Sequence, residues 1–127
     1  EVNNMLGYVT LGSNQFEQAA ALYDALFALC GATRLMDLEE GFILWGTSFD
    51  TGSIALSKPY NGEPATVGNG GMAAIRTDSQ DAVKAIHAKA MELGGQDEGE
   101  PGPRGDGFYA AYFRDLDGNK LAAFCLG

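Results

Sequence analysis

The chain repeats itself. Displaced by 64 residues, its first half falls on its second: Gly7 on Gly71, Tyr8 on Met72, Asn14 on Asp78, Glu17 on Asp81, Tyr23 on His87, Phe27 on Met91 and Gly31 on Gly95. With two more residues admitted, Gly41-Phe42 falls on Gly107-Phe108 and Gly52 on Gly118. The matches keep their order, and each stands where a structural element should begin, turn or end. Such a repeat in 127 residues means two copies of one small module. A module of about 60 residues is marginal alone, so the halves are expected to share a core as one domain spanning 1–127.

Each copy announces the same elements. Phe16, Ala20, Tyr23, Phe27 and Cys30 recur at helical spacing, which predicts a helix over about 15–30. Ala82, Val83, Ile86, Ala90 and Met91 predict its counterpart over about 79–93. Asn14 and Asp78 read as the N-caps, each with an acid three positions on to suit the positive helix end. Gly31 and Gly94-Gly95 stand at the C-terminal ends, where a left-handed residue needs no side chain. Strands are predicted at 6–12, 33–37, 41–47 and 53–58, then at 71–76, 96–98, 107–114 and 119–126. Asp50-Thr51-Gly52 and Asp117-Gly118-Asn119 carry turn chemistry between the last two strands of each copy. Residues 59–69, rich in Pro, Gly and Asn, read as a linker between modules at about 5–58 and 70–127. The fold class is therefore α+β, β-α-β-β-β twice over.

Charge narrows the partners. Seventeen acidic against eight basic residues leave a net charge of −9, which opposes binding to nucleic acid and to anionic membrane surfaces. No apolar run approaches the roughly 18 residues of a membrane span. The first residues lack the basic and apolar regions of a signal peptide, and two cysteines are too few for a disulfide scaffold. A soluble, cytoplasmic protein is expected.

The repeat, the opening Gly7-Tyr8-Val9-Thr10-Leu11, the helical Ala19-Ala20-Ala21-Leu22-Tyr23 and the closing Asp115-Leu116-Asp117-Gly118-Asn119-Lys120-Leu121 resemble the vicinal oxygen chelate superfamily. That group includes glyoxalase I, bleomycin-resistance proteins, fosfomycin-resistance transferases and extradiol dioxygenases. Gly107-Phe108-Tyr109-Ala110-Ala111-Tyr112-Phe113-Arg114 is similar to its small bacterial glyoxalase-like branch. The resemblance implies a curled mixed sheet around a shared cleft, and commonly a homodimer. In catalytic members it also implies a divalent metal held by His, Gln or Glu on the first and last strands of each module. Here the corresponding positions are Tyr8, Leu56, Met72 and Ala122. A phenol, a thioether and two alkyl groups are not a ligand set for such an ion, so neither metal nor other cofactor is expected.

Strand alternation sorts the cleft. Tyr8 and Thr10, Met72 and Ala74, Ile54 and Leu56, and Ala122 and Phe124 are expected to face it. On the third strand of each module the phase stays open. Phe42 and Leu44, or Ile43 and Trp45, face inward in the first copy; Phe108, Ala110 and Tyr112, or Tyr109, Ala111 and Phe113, in the second. Either choice gives an apolar, aromatic cleft with a few hydroxyls. It is either an open small-molecule pocket or a space filled by its own side chains or by a dimer partner. The candidate ligand contacts are Tyr8, Thr10, Trp45, Leu56, Met72, Tyr109, Ala122 and Phe124. Arg104, on a glycine-rich loop, is a candidate for an anionic group.

Other motifs fail on context. Gly68-Asn69-Gly70-Gly71 precedes a strand instead of opening a helix, so it is no phosphate loop. Asp115-x-Asp117-x-Asn119 lacks the glycine and the distant acid of a calcium loop. His87, the single histidine, falls on the apolar face of its helix, a packing position. Two functions follow: a metal-independent small-molecule-binding protein, or a glyoxalase-like lyase or related enzyme that is metal-free or uses unusual ligands. The enzyme would rely on Tyr8, Tyr109 or the Arg104/Asp106 pair. A third, catalytically inactive interaction domain, also fits.

Overall fold

The computed structural model describes residues 5–127. The first module runs β1 (Tyr8–Gly12), α1 (Phe16–Ala28), β2 (Thr33–Leu38), β3 (Phe42–Gly46) and β4 (Ser53–Ser57). The second runs β5 (Ala73–Arg76), α2 (Gln80–Glu92), β6 (Gln96–Pro103), β7 (Phe108–Arg114) and β8 (Lys120–Leu126). Each module makes a four-stranded mixed sheet, ordered β1-β4-β3-β2 and β5-β8-β7-β6. The first strand lies parallel to the last, and the remaining pairs are antiparallel. Neither sheet closes, so β1 and β5 are both edge strands.

Each sheet buries one face against its helix. Tyr23, Leu26, Phe27, Ile43, Trp45 and Leu56 from the first module join Ile86, Phe113, Leu121 and Ala123 from the second in one core. Burying such a side chain contributes about 1.5–3 kcal/mol, so the shared core answers the weakness of a lone module. Tyr23, Phe27 and Trp45 pack ring against ring at centroid distances of 5.4 to 5.6 Å.

The turn between β7 and β8 does more than reverse the chain. Asp115, buried, accepts from the backbone N–H groups of Asp117 and Asn119, from the Asn119 amide and from the Tyr23 hydroxyl of the other module. The same Asn119 amide donates to the Gly12 carbonyl at 2.9 Å, and Asp117 accepts from Asn14 N–H at 2.8 Å. The Asp-x-Asp-Gly-Asn segment thus latches the second module onto the β1–α1 junction of the first.

That latch corrects the N-caps. Asn14 sits ahead of α1, its amide exchanging hydrogen bonds with the backbone of Ala65 in the linker. Gln15 takes the cap position without a side-chain bond. In the second module Ser79, not Asp78, caps α2, accepting from Ala82 N–H at 3.1 Å. The expected strand at 96–98 is also longer. β6 reaches Pro103 despite Gly99, Pro101 and Gly102, because it lies on the sheet edge and its register slips between Asp97 and Gly102.

Candidate functional site

Opposite its helix, each sheet has a second face on which no element packs among the described residues. Pairing register assigns the residues to this open face, because partners across a ladder point the same way. On the first sheet Tyr8 pairs with Ser53, Thr10 with Ala55, Leu44 with Ala55 and Phe42 with Ser57. On the second, Ala74 pairs with Ala122, Arg76 with Phe124, Ala110 with Phe124, Tyr112 with Ala122, and Arg114 with Lys120. Tyr8 and Thr10 are exposed there, and Met72, just ahead of β5, is half exposed. Ala122 forms the buried floor beneath larger neighbours, and Phe124 stacks on Phe108 with centroids 5.3 Å apart.

Four expected cleft residues lie on the other face, Ile54 packing against the core beside Val9, its register partner. Leu56 is fully buried in the core beside Leu11, its register partner; Ala55 takes the open-face position instead. Trp45 is packed between Tyr23 and Phe27, and its indole N–H donates to Asp24 at 2.8 Å. Tyr109 also belongs to the core. On both third strands the open phase therefore resolves the same way: Phe42 and Leu44 in one module, Phe108, Ala110 and Tyr112 in the other.

The two open faces differ in chemistry. The first carries aromatic and aliphatic groups, Tyr8, Met36, Leu38, Phe42 and Leu44, with the hydroxyls of Thr10, Ser53 and Ser57. Tyr8 meets Phe42 edge to face at 6.1 Å. The second gathers cations around an aromatic ring. Arg104 and Lys120 each lie 5.4 Å from the Tyr112 centroid, a distance at which cation–π attraction operates. Arg114 and Lys120 share Glu98, at 3.3 and 4.0 Å. Arg104 is held by the Glu100 carbonyl at 2.6 Å, and its guanidinium lies close against Gly99 and Gly102. A Cβ on either would stand 3.1 Å from its guanidinium. Of these, sequence reasoning singled out Arg104 and left Tyr112 in one of two open phases; the alternation of β7 and β8 was the signal for Arg114 and Lys120.

The positions that the resemblance gives to metal ligands, with Ala55 in place of Leu56, supply a phenol, a thioether and two methyl groups. That donor set does not fit a divalent cation. Among the described residues no group of three His, Cys, Asp or Glu side chains is close enough to hold a metal. His87 turns its Nε2 to Asp97 at 3.0 Å and its ring to Phe113, on the helix side of the second sheet. The Gly99 N–H, with His87 second, holds the Asp97 carboxyl below its usual range. Cys30 closes α1 with its thiol on the Leu26 carbonyl, and burial pushes that thiol up. Neither group reaches the open faces.

Comparison with known proteins matches this arrangement. The family model for the Glyoxalase/Bleomycin resistance protein/Dioxygenase superfamily aligns with residues 6–123. A glyoxalase/bleomycin resistance protein from Albidiferax ferrireducens T118 is 31% identical, with a TM-score of 0.88 over 98% of this chain and 100% of that one. A putative glyoxalase from Bacillus halodurans (18% identity, TM-score 0.77, 97% and 96% covered) shares the fold. So does a lactoylglutathione lyase from Agrobacterium tumefaciens, at 17% identity and a TM-score of 0.67 over 97% and 93%. No curated protein matches the sequence.

Proposed function

Since the chain belongs to the glyoxalase/bleomycin resistance protein/dioxygenase superfamily, we propose that it is a metal-independent small-molecule-binding protein whose cleft forms between the open faces of two subunits. The observation that carries this reading is the exposed apolar side chains of those faces. Tyr8, Met36, Leu38 and Leu126 stand on them, with Met72 at their edge, all between 37% and 57% exposed. Contiguous apolar surface of this kind is characteristic of a face that another surface covers. In a homodimer the neutral face of one sheet meets the cationic, aromatic face of another, and an apolar space with a few polar anchors takes a small molecule. Tyr8, Thr10, Met72, Arg104, Ala122 and Phe124 are the contacts in this reading, joined by Phe42, Phe108 and Tyr112.

The metal-free part rests on the donor set. The enzyme alternative rests on fewer groups than the sequence suggested, because Tyr109 lies in the core. Tyr8 is the phenol left on an open face of the first sheet.

Sedimentation velocity at micromolar concentration, with elemental analysis of protein purified without chelator and after divalent-ion loading, tests the proposal. A metal-free dimer that Tyr8→Asp dissociates is expected. A wild-type monomer overturns the intersubunit cleft, and stoichiometric metal overturns the metal-independent reading.

A further inference from the structure

A second space lies at the junction of the modules and reaches round the free edge of β5 to the rim of the open faces. It is a cavity of about 550 Å³ bounded by the helix side of the first sheet and by the free edge of β5. Leu6, Val9, Phe27, Ile54 and Met72 give it apolar walls, and Trp45 closes one side. Thr47, Thr51 and Ser53 bring hydroxyls to its rim. Among the described residues Arg76 is the one charged residue that lines it, and its exposed guanidinium makes no hydrogen bond or ion pair with any of them. β5 pairs, among the described residues, only with β8, so its outer edge, along Ala73 to Arg76, adds backbone groups that no described strand satisfies.

We propose that this cavity is a binding site for a small apolar carboxylic acid, its hydrocarbon or aromatic body between the modules and its carboxylate on Arg76. The volume lies in the range of small-molecule sites, and apolar walls with one anchoring charge suit such a ligand. A guanidinium pairs with a carboxylate through two parallel hydrogen bonds. A cationic ligand would meet Arg76 unfavourably. A neutral one would gain no charge-assisted bond from the guanidinium. The site shares Met72 and Arg76 with the rim of the second open face, but its walls are core residues of a single subunit, Phe27 and Trp45 among them.

Trp45 is the single tryptophan of the chain, so its fluorescence reports this cavity directly. Phenylpropanoate and octanoate, titrated into the intact protein, are expected to change the Trp45 emission saturably. Phenylpropanamide, which keeps the body and loses the charge, is expected to bind about tenfold more weakly or worse, as charge-assisted hydrogen bonds require. Arg76→Gln removes the preference for the acid. Gly52→Phe, at a position where the nearest atom to a new Cβ is 3.8 Å away, fills the cavity and abolishes the response. No Trp45 response to any of the three probes overturns the site. Equal affinity for acid and amide, or an unchanged preference in Arg76→Gln, overturns the role of Arg76. A monomeric protein that still gives the full response retires the intersubunit reading and leaves this one standing.

Discussion

The Tyr23 hydroxyl, on the helix of the first module, donates to the Asp115 carboxylate in the last turn of the second, and both groups are buried. This bond joins the two halves at the centre of the shared core. Tyr23→Phe removes one donor to a charged acceptor and leaves three in place, which costs about 1.5–3 kcal/mol. Asp115→Ala strands Tyr23 and the turn amides together and costs more. Chemical denaturation of the two variants checks the order; a neutral Tyr23→Phe would remove the latch from the stability account.

The same contact sets an alkaline limit. Burial first, then the Asp115 charge and its hydrogen bond, push the Tyr23 phenol well above its ordinary value of 10.0. In the unfolded chain this phenol ionises near 10, while the folded protein keeps its proton. The stabilisation is therefore complete below that pH and falls as pH rises beyond it. Wild type is expected to lose stability above pH 10 more steeply than Tyr23→Phe, as read from denaturation midpoints. Parallel alkaline limbs would contradict the assignment.

Much of this architecture was legible in the sequence, and the failures share a cause. The repeat and both helices followed from spacing; the open-face placement of Tyr8 and Ala122 followed from the resemblance, and alternation extended it to Thr10 and Phe124. Leu56 did not, because period-two alternation gives a face only when the count is right. The 66-residue displacement that relates Phe42 to Phe108 does not hold for the last strands. Thr10 pairs with Ala55, and its counterpart Ala74 with Ala122, an odd displacement that turns Leu56 into the core. Trp45 and Tyr109 were ambiguous for want of a neighbour to fix their phase. Asn14 has cap chemistry, but its partner is Ala65, which local sequence does not reveal.

Acid should weaken a different contact. Arg34 binds both carboxylate oxygens of Asp24, at 2.9 and 2.7 Å, and Trp45 adds its indole N–H. The Arg34 hydrogen bonds, with help from Trp45 and against a burial effect, hold the Asp24 carboxyl below its ordinary 3.8. A depressed carboxyl stabilises above its unfolded value, and that contribution fades as pH falls through the folded one. The pair is over a third exposed, so solvent screening limits it to about 1 kcal/mol at most. Asp24→Asn should trail wild type at neutral pH and converge with it below 3.8. A gap that persists into strong acid would mean the aspartate acts through packing.

Two glycines at helix ends are conserved in the repeat for different reasons, and alanine separates them. Gly31 has φ of 74° with open space around its missing Cβ, so Gly31→Ala costs about 1–2 kcal/mol of backbone strain, which asparagine largely recovers. A Cβ on Gly95 would stand 2.8 Å from the Arg114 carbonyl oxygen and 2.9 Å from that of Ala90. Backbone atoms there cannot swing aside, so Gly95→Ala costs about 1–3 kcal/mol by overpacking and Gly95→Asn recovers nothing. Thermal unfolding of the four variants decides it; rescue by asparagine at both sites would refute the distinction.

Leu56 and Tyr8 occupy opposite faces of one sheet, and their truncation should separate folding from association. Leu56 is wholly buried, so Leu56→Ala removes apolar area and leaves a void, costing about 2–5 kcal/mol. Tyr8 is 53% exposed in a single subunit, so Tyr8→Ala should change subunit stability by no more than about 0.5 kcal/mol. If the open faces pair, that variant instead weakens self-association. Apparent stability of a dimer rises with protein concentration, so wild type and Leu56→Ala should show that dependence and Tyr8→Ala should lose part of it. Denaturation at several concentrations, beside sedimentation equilibrium, reads both quantities. A concentration-independent wild type would place Tyr8 on a face exposed in solution, and a mild Leu56→Ala would contradict the face assigned to β4.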